Sequence, residues 1–106
     1  MPDLTGLPGA ENVERGVRDL HTGNITAEAL LVSMAPTRLR ELGIVIDNEV
    51  ELPQEPEIAL YRLLGKKHDD PYYRYNALRR ELDSFIAALQ SRESRKSKDD
   101  ETVAKF

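Results

Sequence analysis

The stretch "DDPYYRYNALRRELDSFIAALQ", residues 69–90, constrains the fold more than any other. Within it Tyr75, Leu78, Leu82, Phe85 and Leu89 recur at alternating spacings of three and four, with Ile86 beside them. At about 100° per residue these six side chains fall in one arc of about 100°, the apolar stripe of an amphipathic helix with one buried face. Asp70 is placed to cap the helix, and Pro71 to take the first helical position, where no backbone N–H is needed. Such a helix requires other apolar faces to cover it.

The preceding sequence supplies those faces at helical period. In "PGAENVERGVRDLHTGN", Val13, Val17 and Leu20 define a helix over about residues 10–21 that Gly23 terminates. Gly16 lies on the apolar flank of that helix at a cost of about 1 kcal/mol relative to alanine, which points to close approach of a neighbouring helix. Thr26 caps a second helix over 27–34 with Leu30, Leu31 and Met34 on one side, and Pro36 then opens a third. Leu39 and Leu42 form the stripe of the third, and Gly43 with Ile44 matches a Schellman ending. Pro56 opens a fourth helix in which Leu60, Tyr61 and Leu64 share a face, Leu63 flanks it, and Gly65 closes it.

Two stretches do not read as helix. "IVIDNEVELPQEPE" alternates apolar and polar residues around Asp47-Asn48, and with no other strand candidate in the chain it reads as a connector with a little extended structure lying on the helices. After Gln90, "SRESRKSKDDETVAKF" offers almost nothing to bury and reads as a frayed helix end running into a disordered charged tail. The expectation is an all-α fold: about five helices packed around the long C-terminal one, an irregular segment at 44–56, a single domain over 1–90 and a tail over 91–106.

Composition then narrows the function classes. The 106 residues are 40% hydrophobic and 32% charged, enough for one core without covalent staples. The absence of cysteine removes disulfide scaffolds, zinc ribbons and thiol nucleophiles, and favours the cytoplasm. The opening "MPDLTGLPGAEN" lacks a basic start followed by an apolar run, and the longest apolar stretch, Ala29 to Val32, is far short of the roughly 20 residues that span a bilayer. No signal peptide, membrane partner, metal or cofactor is expected.

The motifs of hydrolases, zinc proteases, phosphate loops and calcium loops are missing. Both histidines stand six residues after an arginine, as "RGVRDLH" from Arg15 to His21 and "RLLGKKH" from Arg62 to His68. This spacing resembles the arginine–histidine signature of the small helical ribonucleases called HEPN domains. The resemblance implies a dimer in which arginine neutralises a scissile phosphate and histidine moves a proton. Here both matches run into helix ends instead of lying within a helix, and the plainer reading is histidines interacting with the C-terminal dipole.

Nucleic-acid binding is a further alternative. Residues 26–43 superficially resemble a helix-turn-helix with Arg38 and Arg40 on its second helix, and Arg74, Arg79 and Arg80 cluster downstream of Lys66 and Lys67. Against it stand the net charge of −4 and the chance of local pairing with Glu81 and Asp83. The acidic residues Asp47, Glu49, Glu51, Glu55 and Glu57 imply no compact metal geometry, and suit a solvated loop or a basic partner, including a second copy.

Winding the last helix separates its aromatics. Tyr75 belongs to the apolar stripe, Tyr72 borders it, and Tyr73 falls on the opposite side with Asn76, Ala77 and Arg80, a composition typical of interface hot spots. The leading expectation is a non-enzymatic interaction or regulatory module that binds another protein or forms a homodimer. Its candidate binding residues are Tyr73, Asn76 and Arg80.

Overall fold

The computed structural model describes residues 2–104, with side chains through Arg95. Among the described residues the chain forms five helices and no strand: α1 Ala10–His21, α2 Ala27–Val32, α3 Pro36–Glu41, α4 Pro56–Lys67 and α5 Pro71–Ala104. The all-α expectation is met, with the order and proline starts read from sequence. The side chains from residue 96 onward, the larger part of the segment expected to be a disordered tail, lie outside the described residues. No described helix is long and apolar enough to cross a membrane.

Gly16 decides how α1 and α2 meet. A Cβ built there would stand 2.3 Å from the Glu28 carbonyl oxygen and 2.8 Å from Val32 Cγ1, so any side chain would push the helices apart. The close approach expected from the sequence is therefore made, and by backbone rather than by a flexible side chain. Arg15 spans the same junction from its exposed side, 3.7 Å from Glu28. Thr26 caps α2 by accepting the Ala29 N–H at 3.2 Å and donates its own hydroxyl to Asp19 Oδ2 at 2.7 Å, which ties the start of α2 to the last turn of α1.

Although only six residues long, α2 lies at the centre, packed on α1, α4 and α5. Ala29, Leu30, Leu31 and Val32 are all buried, and so is Ser33, whose hydroxyl donates to the Ala29 carbonyl at 2.7 Å. Helix α2 ends at Val32, two residues earlier than the sequence suggests, because Pro36 requires the chain to leave helical geometry before α3 begins. From α5, Leu82, Phe85, Ile86 and Leu89 enter the core and Leu78 and Tyr75 line its edge, as the stripe predicts.

Two of the three expected glycine stops, Gly23 and Gly43, are Schellman endings. At Gly23 (φ 77°) the N–H groups of Gly23 and Asn24 donate to Leu20 and Asp19, and at Gly43 (φ 91°) those of Gly43 and Ile44 donate to Arg40 and Leu39. Gly65 behaves differently. It stays helical, α4 continues to Lys67, and His68 in extended conformation ends it. The segment expected to carry extended structure is a non-helical connector whose Ile44 and Ile46 enter the core while Val45 faces out. At the N-terminus Leu4 is buried in the same core, and hydrogen bonding from the Thr5 side chain and then from the Thr5 N–H holds the Asp3 carboxyl below its usual value. The Arg92 guanidinium donates to the Asp3 carbonyl, tying this strap to α5 beyond residue 90.

Candidate functional site

The outer sides of α4 and α5 form one surface, because the two helices pack on each other and Tyr61 of α4 meets Tyr75 of α5. Asp70 builds the start of α5: its carboxylate accepts the Tyr73 N–H at 3.1 Å and its carbonyl accepts the Arg74 N–H. Tyr73 is consequently held on the first turn with its side chain 69% exposed, and Tyr72 beside it is 67% exposed. Arg80 is exposed two helical turns further on the same face. Asn76 is half-buried, with its amide donating to the Tyr72 carbonyl at 3.0 Å, so part of its hydrogen-bonding capacity is used locally.

The neighbouring surface of α4 carries residues that sequence reasoning placed elsewhere. Tyr61, grouped with Leu60 and Leu64 on a buried face, is 43% exposed, and Ile58 is 48% exposed. The cause is the 100° step: Leu60 and Leu64 point into the core, and Tyr61 is turned away from their centre. The Tyr61 ring meets Tyr75 edge-to-face, with centroids 6.1 Å apart and planes at 69°, which fixes both rings. Together with Glu57, Ile58 and Arg62 they line an open cleft of about 320 Å³. A second apolar cleft of about 290 Å³ lies across Arg62, between Ile25, Ala59 and Leu63. The signal for this surface was present in the sequence as Ile58, Tyr61 and Gly65 at helical spacing.

Basic side chains border the surface. Among the described residues the only ion pair is Arg15–Glu28, so Arg62, Lys66, Lys67, Arg74, Arg79 and Arg80 stand without an acidic partner within 4 Å. The local pairing of the α5 arginines with Glu81 and Asp83 is not formed.

The His21 ring takes a structural place. His21 ends α1 with both ring nitrogens engaged: one lies 2.8 Å from the Val17 carbonyl oxygen and the other 3.2 Å from the Asp47 N–H. A carbonyl can only accept and an amide can only donate, so Nδ1 carries the proton and Nε2 is the acceptor. The ring thereby pins the connector to α1, beside a cleft of about 770 Å³ edged by Asp47, Glu49 and Glu51. His68 is the residue that ends α4, half-buried, with its N–H on Leu64. Among the described residues no group of three His, Asp or Glu side chains is disposed to hold a metal. No family model, curated protein or solved structure matches the chain.

Proposed function

We propose that this chain is a non-enzymatic interaction module, working in the cytoplasm, whose docking surface is the outer side of α4 and the first turns of α5. One observation carries the reading. Ile58, Tyr61, Tyr72 and Tyr73 remain between 43% and 69% exposed on two adjacent helices, in a chain that has apolar residues enough to fill its core. Adjacent large apolar side chains rimmed by charge are characteristic of surfaces that bind proteins, and tyrosine and arginine are the residues that contribute most there. The His21 ring supports the same reading over a ribonuclease built on that histidine, since a ring with both nitrogens bound to backbone is occupied in positioning the connector.

The test is affinity capture with the wild-type chain and with Tyr73→Ala combined with Arg80→Ala. Loss of two hot-spot side chains should reduce capture of the specific partner about tenfold or more, while unfolding stability changes by no more than about 0.5 kcal/mol because both side chains are exposed. Undiminished capture by a folded double variant contradicts the assignment of this face. A second reading, attachment to a nucleic-acid backbone, is favoured by the six basic side chains left without ion pairs. Nuclease treatment before capture separates the two: a protein partner persists, and a nucleic-acid ligand is lost.

A further inference from the structure

We infer that the outer face of α4 docks a segment of another protein in which an acidic side chain stands between large apolar ones. The carboxylate meets Arg62, and the apolar side chains fill the clefts on either side of it. This rests on the reading of α4 and α5 as a protein-docking surface and names the chemistry of the partner for the α4 part of it.

The first argument is where Arg62 stands. At about 100° per residue it lies about 160° from both Leu60 and Leu64, which point into the core, so it occupies the centre of the outward face. Ile58 and Lys66 flank it at about 40° on either side. Arg62 lines both apolar clefts, the one it shares with Ile58 and Tyr61 and the one it shares with Ile25 and Leu63. Ile25, Ile58 and Tyr61 are 56%, 48% and 43% exposed. Large apolar side chains left to solvent on both sides of one cation make a docking surface with a charged centre.

The second argument is what that centre requires. Among the described residues no acidic oxygen lies within 4 Å of the Arg62 guanidinium. Glu57 borders the first cleft but stands about 140° from Arg62 around the helix, and the other charged side chain of the second cleft is again a cation, Lys66. A partner that fills both clefts must also cover the side chain between them. A guanidinium covered without a counter-charge loses its hydration with no compensation. A carboxylate supplies that counter-charge through two parallel hydrogen bonds that match the planar guanidinium. A purely apolar segment is thereby disfavoured, and a basic one is repelled by Arg62 and Lys66 together. A phosphate backbone would meet the cations and leave both clefts unfilled.

The third argument is that the surface is formed in advance. The Tyr61 ring is held edge-to-face by Tyr75, so little side-chain freedom is lost when its cleft is filled.

Selection of peptides from a phage-displayed random library on the immobilised full chain tests this, with the Arg62→Glu variant as parallel target. Peptides carrying Asp or Glu between large apolar residues should be enriched on the wild type and not on the variant. One such peptide, labelled and followed by fluorescence anisotropy, should bind Arg62→Met about tenfold or more weakly, although methionine keeps an unbranched apolar stem. Replacing its acidic residue by lysine should abolish binding to the wild type, and Arg62→Glu should restore it. Because Arg62 is exposed, both variants should unfold at the same urea concentration as the wild type. Enriched peptides that lack an acidic residue, or an affinity that ignores Arg62→Met, overturn the inference. So does a self-associating chain whose dimer needs Arg62, which would make the second copy the occupant. Mixed-sequence single-stranded DNA that binds through Arg62 while no peptide is enriched overturns it in favour of nucleic acid. If nothing binds at Arg62 but capture through Tyr73 and Arg80 persists, this inference falls and the interaction reading stands; loss of both removes both.

Discussion

At the scale of single residues, two glycines in helices show why identical substitutions need opposite expectations. Gly16→Ala would place a methyl group 2.3 Å from a backbone oxygen of α2, and since backbone cannot step aside cheaply, the substitution should destabilise the fold by about 2–3 kcal/mol. Gly65→Ala places its methyl group in ordinary contact with Pro71 Cγ at 3.9 Å and improves helix propensity, so it should stabilise the fold by about 0.5–1 kcal/mol. Urea unfolding of both variants at high dilution checks the pair, and equal effects would contradict the packing described for α1 and α2. The sequence marked Gly16 as a place of close approach because its helix had an apolar flank there. It misread Gly65 as a stop because glycine's two uses, ending a helix and letting a neighbour close in, look alike until φ is known. Gly23 and Gly43 have positive φ, whereas Gly65 is helical.

At the scale of elements, the parts with strong periodicity or side-chain caps were legible, and the parts fixed by distant contacts were not. The stripe on α5, the Asp70 and Thr26 caps and the Schellman glycines are local devices, and each appears where its residues sit. The burial of Leu4 and the tie from Arg92 to Asp3 depend on residues far apart in the chain, which no local pattern announces. The exposure of Tyr61 was missed because adjacent apolar positions on α4 were given to one face. The connector 44–56 is held partly by His21, whose Nε2 accepts the Asp47 N–H. His21→Ala should therefore speed hydrogen exchange at the Asp47 amide, and cost about 1 kcal/mol or less because the site is exposed. Unchanged exchange at Asp47 would contradict the pinning role.

At the scale of the whole molecule, the core is organised about the short α2, with α1, α4 and α5 around it. This leaves α4 and α5 with one buried side each and an outer side that holds the uncovered tyrosines and unpaired basic groups. Of the residues singled out from sequence, Tyr73 and Arg80 lie on that outer side fully available, while Asn76 is partly engaged with the Tyr72 carbonyl. The helical period sufficed to place these three on one face. It did not reveal that α4 extends the same surface with Ile58 and Tyr61, because which helices become neighbours is decided by packing and not by local pattern.

On the reading proposed above, the outer side of α5 docks a partner. Site-specific photo-crosslinking in cells tests it most directly, with a photoreactive aromatic residue in place of Tyr73 and, as control, in place of the exposed Arg38 on α3. A discrete cross-linked species is expected from position 73 that position 38 does not give. Equal cross-linking from the two positions, or none from position 73, would contradict it.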